Sequence, residues 1–360
     1  MVILGILFLM FVCAGLYALR ILFAKGREIS FEHRFMIAAA PLLVCLMFSL
    51  LVYSVIRMPG RDWNAARITP SVALKFGYTL YYPANQGPIL NTLYAPITAV
   101  AYLPAALGND PTSAILIAGA INTGSMAFAM LFLLLALKGP EQNTLNRSLR
   151  WALWVLGVAA IYSHAGISYA IQSIHADAPA MGMMLVACTL LMLAGDKPSF
   201  RRLTVAALLA ACAGFSKQIE VFCLPGIFFY LGFVFGWRSA FTFAGLVAAW
   251  AGVCVVVCSA VFGGFEAMMF NIVEVPSLHA WKGPKVAILI KSFIKLMLGG
   301  GFILLPLALF VVRAFDRCKI SVAGVGGVLN QNRWLLLIFA GGTMTIGSVL
   351  GEVKIGGMEN

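Results

Sequence analysis

The chain has 360 residues, of which 62% are hydrophobic and only 11% are charged, and its mean hydropathy is +0.96. Soluble domains carry about 25% charged residues, so this composition excludes a soluble globular protein and requires lipid as the solvent for much of the surface. A formal net charge of +12 would suggest a nucleic-acid partner in a soluble protein, but here the basic residues concentrate in short loops between apolar runs, and we expect no such partner.

Long apolar runs predict membrane-spanning helices, because about 20 apolar residues are needed to cross roughly 30 Å of hydrocarbon and a helix satisfies its own backbone there. The runs are continuous and do not alternate as barrel strands would. We therefore predict an all-α integral membrane protein with about ten transmembrane helices in a single multi-pass domain over residues 1–360. In chain order the predicted spans are residues 1–24, 35–57, 112–137, 151–174, 178–195, 203–216, 221–237, 240–262, 292–314 and 334–351.

The positive charges predict the orientation of these spans, because short loops rich in Lys and Arg stay in the cytoplasm. Alternate loops carry such residues, namely residues 20–34, 138–150, 197–202, 238 and 313–333. Both ends of the chain are therefore expected outside the cytoplasm, in a plasma or inner membrane. The same partition puts four internal segments on the non-cytoplasmic face, where we expect the functional site: residues 58–111, 175–177, 217–218 and 263–290.

The first of these outer segments, residues 58–111, contains tyrosines, prolines and apolar stretches too short to cross a bilayer. This pattern predicts interfacial helices with tyrosines at the level of the lipid headgroups. Asp62 follows the second predicted span directly, at the hydrocarbon boundary, where a partly desolvated carboxylate can take a proton from a hydroxyl or hold a cation. A cap for a short helix starting at Trp63, or an ion pair with Arg61, is the alternative role for Asp62.

A series of residues in this segment resembles the first outer loop of the GT-C superfamily, membrane glycosyltransferases of the dolichyl-phosphate-mannose mannosyltransferase type that depend on a polyprenyl-phosphate-linked sugar. The pattern is an Asp near a helix end, then G-x-x-L-Y, then G-P, then Y-x-P. It is carried here by Asp62, Gly77, Leu80, Tyr81, Gly87, Pro88, Tyr94 and Pro96. Residues 173–177 resemble the second acidic turn of the same superfamily, and residues 214–218 resemble its lysine turn.

The resemblance covers residues 61–281 and implies an inverting glycosyltransferase that moves a sugar from a polyprenyl-phosphate donor to a lipid or glycan acceptor on the non-cytoplasmic face. It implies Asp62 as the general base or a metal ligand, and Asp177 as a second polar contact to the acceptor or metal. Asp177 can equally cap the helix that follows it. The carboxylates leave room for a divalent cation as a cofactor, although an inverting reaction needs only one base and an activated donor.

A lipid-phosphate leaving group must be stabilised as the glycosidic bond breaks, so phosphate contacts are needed. The predicted ones are Arg67, Lys217 and Lys354. Lys217 can also snorkel between two helices or pair with Glu220. Lys354 begins a K-x-G-G-x-x-N stretch whose glycines let backbone N–H groups approach an anion, with a frayed terminus as the alternative. In the superfamily more chain follows such a stretch, so the resemblance also predicts a truncated version of a longer protein.

Substrate contacts are predicted for polar and aromatic residues of the outer face, namely Tyr81, Tyr82, Gln86, His175, Gln218, His279 and Trp281. Interfacial anchoring is the alternative for the last two. The competing function is a transporter or flippase of a lipid-linked solute, or an inactive fragment of a glycosyltransferase. Transport would require charged or broken helices near the midplane of the membrane, where the sequence has few titratable residues beyond His164.

Overall fold

The computed structural model describes residues 2–23, 31–61, 63–87, 93–136, 170, 173–280, 283–294 and 322–352. All regular secondary structure in these residues is helical. The predicted all-α fold is therefore confirmed for this part of the chain.

In chain order, the helices are α1 (Val2–Leu22), α2 (Phe31–Arg57), α3 (Asn64–Lys75), α4 (Ile97–Ala101), α5 (Pro111–Ala136), α6 (Asp177–Met192), α7 (Phe200–Gly214), α8 (Cys223–Phe235), α9 (Trp237–Val261), α10 (Phe265–Met269), α11 (Val275–Ser277), α12 (285–294), α13 (Val322–Gln331) and α14 (Leu335–Glu352). Single 3-10 turns are formed by Met58–Gly60, Leu103–Leu107 and Gln218–Phe222, and a π-helical turn by Phe270–Glu274.

The protein is a helical integral membrane protein. Among the described residues, five helical stretches have the length and hydropathy to cross a bilayer: Gly5–Leu22, Ile37–Gly60, Pro111–Leu133, Gln218–Phe235 and Trp237–Val261. Each coincides with a predicted span, and the predicted spans 178–195 and 334–351 correspond to the shorter apolar helices α6 and α14.

The full number of ten spans is not confirmed. The predicted span 203–216 corresponds to α7, whose 15 residues give a helix only about 22 Å long, less than the thickness of the hydrocarbon. The predicted spans 151–174 and 292–314 lie mostly outside the described residues.

The long helices expose apolar side chains on the outer surface of the bundle. Phe8 of α1 is 71% exposed and Val256 of α9 is 68% exposed. Surface helices of soluble proteins carry charged and polar residues on that face. An apolar outer face on helices of spanning length fits contact with lipid.

The largest apolar core forms where α6, α7, α8, α9, α13 and α14 pack together, around fully buried side chains such as Ile227 and Leu231. Helix α7 contributes four small residues to it, Ala206, Ala207, Ala210 and Ala213. Gly226 of α8 lies so close to α14 that a Cβ atom there would clash with the backbone of Phe339. Close approach through small residues is how helices pack in lipid, where apolar contact alone does not bring them together.

The first outer segment forms a platform against the start of α5. Helix α3 is amphipathic, and its buried Ile68 belongs to an apolar cluster with Met58, Tyr102, Ile115 and Ile174. Helices are thus present where interfacial helices are predicted, and their depth in a membrane stays a prediction. A second apolar cluster joins Leu80 and Tyr81 to the end of α9 and to α10. These two clusters hold the segment in place over one end of the bundle.

Candidate functional site

Four segments that are distant in the sequence meet at one end of the bundle. Residues 63–102 make hydrogen bonds to each of the other three, and the donor–acceptor pairs are Arg67 Nη1 to Ile174 O (3.4 Å), Ile97 N to Phe215 O (3.2 Å) and Tyr81 N to Phe262 O (3.1 Å). The three acceptors lie within two residues of the outer segments that the charge pattern groups together. The side of the membrane that this end faces stays a prediction.

A cavity of about 280 Å³ lies between these segments. Its polar lining includes Arg67, Tyr94, Thr98, His175 and His279, and the rest of its wall is largely apolar and aromatic. The volume is near the lower end of the roughly 300–1,000 Å³ typical of small-molecule pockets. The cavity therefore suits one compact ligand, on the scale of a sugar ring with its substituents.

Asp177, the first residue of α6, binds two buried partners behind the cavity wall. Its Oδ1 accepts a hydrogen bond from Lys217 Nζ, and its Oδ2 accepts one from His175 Nδ1. Burial acts to raise the pKa of the Asp177 carboxyl, but the charge of Lys217 and the contact with His175 outweigh burial and hold that pKa below its ordinary value. Asp177 is therefore a carboxylate in the folded protein.

Lys217 is only 3% exposed and belongs to this ion pair. The side chain of Lys217 thus pairs with Asp177 and not with Glu220, which is the partner that the sequence suggests. Glu220 is also buried, and its Oε2 lies 3.8 Å from Cys223 Sγ. The ammonium of Lys217 therefore holds the Asp177 carboxylate in place and does not line the cavity.

His175 links the ion pair to the cavity. A carboxylate only accepts hydrogen bonds, so His175 Nδ1 must carry the hydrogen that it shares with Asp177. The other ring nitrogen, Nε2, lies 2.7 Å from Tyr94 Oη, and the two rings meet edge to face with their centroids 4.9 Å apart. A continuous chain of hydrogen bonds thus runs from Lys217 through Asp177 and His175 to Tyr94 at the cavity wall.

A buried tyrosine fixes the turn that carries His175. Tyr102 Oη lies 2.8 Å from the carbonyl oxygen of His175 and 2.6 Å from Asn122 Oδ1. Burial raises the pKa of the Tyr102 phenol, which keeps the group protonated as a donor. Asn122 of α5 in turn donates from Nδ2 to Ala170 O at 2.9 Å. These hydrogen bonds join the turn at His175 to Tyr102, Tyr102 to α5, and α5 to Ala170, so together they fix the position of the imidazole.

The chain matches no protein-family model, no curated protein and no solved structure. A function has to be argued from the cavity and its hydrogen-bond chain, together with the motif resemblance.

The predicted site residues that the structure describes fall in different surroundings. Arg67, Tyr81, His175 and His279 line the cavity. Gln218 ties two segments together, because its Nε2 donates to Leu93 O at 3.1 Å and to Ile272 O at 3.2 Å. Tyr82 is half-buried and its carbonyl oxygen accepts from Asn271 Nδ2 at 3.0 Å, while Gln86 is exposed in a turn.

Asp62, Trp281 and Lys354, like His164, lie outside the described residues, and their predicted roles stay predictions. Trp63, which follows Asp62 in the chain, lines the cavity. Its φ angle of 70° is in the left-handed region, which bulky side chains rarely adopt, and such strained residues cluster at active sites and ligand-binding sites.

The described residues contain no group of three or more His, Cys, Asp or Glu side chains placed to hold a metal ion. A cation at Asp177 would have to displace the hydrogen-bond donors Lys217 and His175 from both carboxylate oxygens. Asp177, whose carboxylate is predicted to contact a metal ion, thus holds His175 in position instead.

Three residues of the site are not singled out for a role by the sequence alone. Tyr94 is only one position of a motif there, and Tyr102 and Asn122 belong to no motif. Asn122 carries a usable signal, because a polar side chain inside a predicted span is costly in lipid and usually faces a partner within the bundle.

Proposed function

We propose that this protein is a membrane-embedded inverting glycosyltransferase that transfers a sugar from a polyprenyl-phosphate donor to a lipid or glycan acceptor at the non-cytoplasmic face of the membrane. One observation carries the proposal. Four residues of the motif that resembles the GT-C superfamily line the cavity, Leu80, Tyr81, Tyr94 and Pro96, and they do so beside Ile174, His175 and Ala176 of the second matching turn. Motifs about 80 residues apart in the sequence thus contribute to one wall.

The charges around the cavity support a phosphate-linked ligand. Arg67 lines the cavity, and a planar guanidinium makes strong paired hydrogen bonds to phosphate oxygens. Arg67 would stabilise the lipid phosphate as the bond between sugar and phosphate breaks. The predicted phosphate contact of Lys217 is replaced in this proposal by a supporting role, because its ammonium already neutralises Asp177. Asp62 stays the predicted base that takes the proton from the attacking hydroxyl.

Transfer by the purified protein in lipid nanodiscs tests the proposal. The substrates are polyprenyl-phosphate-linked hexoses and pentoses with a radiolabelled sugar, and a membrane lipid extract serves as the acceptor. The parent should move the label to a new product. Asp62→Asn keeps the size of the side chain but removes its charge, so transfer should fall by about 10²- to 10⁴-fold while the thermal stability stays near that of the parent.

Asp196→Asn is the matched control, since Asp196 is exposed and lies in a loop predicted on the opposite face. This variant should transfer sugar at the parental rate. Absence of transfer by the parent from every donor would contradict the proposed function, whereas full transfer by Asp62→Asn would remove only the proposed base.

A further inference from the structure

A second cavity, of about 770 Å³, shares helix α3 as a wall with the first. Arg67 and Pro70 of α3 line the first cavity. Ile68, Thr69 and Val72 of the same helix line the second. At 100° per residue these two sets of side chains leave the helix on different sides. The volume of the second cavity is within the range of roughly 300–1,000 Å³ that small-molecule sites have, so the protein has room for a second ligand.

The second cavity is expected at the boundary between hydrocarbon and water. Its wall is built by the segment between two spanning stretches, which end at Gly60 and begin at Pro111, and by the first turns of α5. The chain between two successive spans stays on one side of a membrane, whichever side that is. Tyr78 of the wall is 56% exposed, and tyrosines are enriched at the level of lipid headgroups. The ligand best placed to enter is therefore a lipid of the bilayer itself.

Two residues of opposite charge line this cavity, and the backbone holds each of them. Lys75 Nζ donates to Ala106 O at 2.6 Å, and the backbone N–H of Ser113 donates to Asp110 Oδ1 at 3.0 Å. The bond from Ser113 keeps the pKa of the Asp110 carboxyl below its ordinary value, so the group is a carboxylate at neutral pH. Within the described part of the chain, neither charged side chain belongs to an ion pair.

Both charged groups keep capacity to bind a ligand. An ammonium has three N–H donors, and the bond to Ala106 uses one of them. A carboxylate has about four lone-pair sites, and backbone N–H groups use only part of them. Most of the remaining wall is apolar, with Ile68, Val72 and Ile115 among its residues. The cavity thus offers a cation, a carboxylate and an apolar surface to one molecule.

From this arrangement we propose that the second cavity binds a bilayer phospholipid whose headgroup carries a primary amine, as in phosphatidylethanolamine. Lys75 contacts the phosphate, Asp110 accepts a hydrogen bond from the ammonium of the headgroup, and the acyl chains start along the apolar wall. A choline headgroup has no N–H to donate, and a glycerol headgroup has no positive charge. The inference concerns a lipid of the membrane and does not depend on the transfer reaction.

Lipid binding by the whole protein in detergent micelles tests this inference. The dissociation constants of phosphatidylethanolamine, phosphatidylcholine and phosphatidylglycerol with the same acyl chains are measured by native mass spectrometry. The parent should bind phosphatidylethanolamine about tenfold more tightly than either of the others, because only this lipid makes both charge-assisted contacts. Equal binding of the three lipids by the parent would overturn the inference.

Asp110→Asn tests the contact with the amine. Asn caps helices about as well as Asp, so the start of α5 should be kept. The variant should bind phosphatidylethanolamine and phosphatidylcholine with equal affinity. Asp196→Asn is the matched control, because Asp196 is exposed and does not line the cavity, and it should keep the parental preference. A preference for phosphatidylethanolamine that survives Asp110→Asn would show that the amine is bound elsewhere, and the inference would fail.

Lys75→Gln tests the contact with the phosphate. The variant removes the charge but keeps an N–H donor for Ala106 O. Every phospholipid has a phosphate, so all three lipids should bind about tenfold more weakly while the ratio between phosphatidylethanolamine and phosphatidylcholine stays parental. Lys197→Gln, at an exposed lysine that does not line the cavity, should bind lipids like the parent. Parental affinities in Lys75→Gln would contradict a headgroup bound in this cavity.

Discussion

Two regions of the described bundle are stabilised in different ways. The apolar core around Ile227 and Leu231 relies on close packing of small and aliphatic side chains, with α8 against α14 at Gly226. The end that carries the cavity relies on directional bonds among buried polar groups, with Asp177 and Lys217 at its centre. The first kind of contact tolerates exchange of one apolar residue for another, whereas the second fails when one partner is removed.

This difference between the two regions needs an explanation, because a buried ion pair generally adds little net stability to a protein. Its desolvation cost often equals or exceeds the attraction between the charges, so apolar residues would hold the helices together at least as well. The Asp177–Lys217 pair nevertheless lies in a bundle whose largest described core is apolar. Its presence is better explained by the imidazole that it positions at the cavity.

Removal of Lys217 should give the largest loss of stability. Lys217→Met keeps the length of the side chain but leaves the Asp177 carboxylate buried without its cation, which typically costs about 3–5 kcal/mol. The free energy of unfolding can be measured by SDS titration in mixed micelles. Lys197→Met, at an exposed lysine, should stay within about 0.5 kcal/mol of the parent.

The double variant Lys217→Met/Asp177→Asn sharpens the comparison. Asn removes the buried charge and its oxygen can still accept from His175, so most of the lost stability should return. A double variant as unstable as Lys217→Met would mean that packing around the lysine stem, and not the unpaired carboxylate, accounts for the effect.

The apolar core should be sensitive to volume at Gly226. Gly226→Leu would place a side chain against the backbone of Phe339 and push α8 away from α14, with an expected loss of about 1–3 kcal/mol in the same titration. Gly245→Leu is the matched control, since a Cβ atom at Gly245 on α9 meets no atom within 4 Å. Equal behaviour of the two variants would contradict the close contact between α8 and α14.

The smallest effect is expected at Tyr102. Tyr102→Phe removes the hydroxyl that joins Asn122 to the carbonyl oxygen of His175, which should cost about 1 kcal/mol of unfolding free energy. Tyr78→Phe should leave stability unchanged. A parental value for Tyr102→Phe would show that the turn at His175 is held without this hydroxyl.

The spanning helices could be predicted from the sequence because crossing lipid is a local property of a chain. Helices α1, α2, α5 and α9 each contain an apolar run of sufficient length. The length and hydropathy of such a run are enough to predict a spanning helix, without knowledge of its neighbours. Helix α7 shows the limit of this reasoning. Its apolar character comes from alanines that are buried between neighbouring helices, and composition does not distinguish burial in protein from burial in lipid.

The residues of the candidate site could be predicted from the sequence better than the contacts between them. The charge pattern groups loops that meet in the structure, and Arg67 and His175, which are predicted as ligand contacts, both line the cavity. The pairing of Asp177 with Lys217 was not foreseen, because these residues are 40 positions apart and their approach depends on how α6 and α7 pack. Local sequence rules predict a helix cap for Asp177 and a pair with Glu220 for Lys217. In the folded protein the two residues pair with each other instead.

The π-helical turn at Phe270–Glu274 has a consequence for how the loop after α10 can vary. A π-turn accommodates one residue more than the α-helical turn it replaces. Deletion of that extra residue would close the π-turn to an α-helical one, while the chain on either side keeps its facing. The same deletion in an ordinary α-helical turn would rotate all that follows by about 100° around the helix axis. His279 lies five residues beyond this turn and lines the cavity. The π-turn is therefore a place where this loop tolerates the loss of one residue with His279 still presented to the cavity.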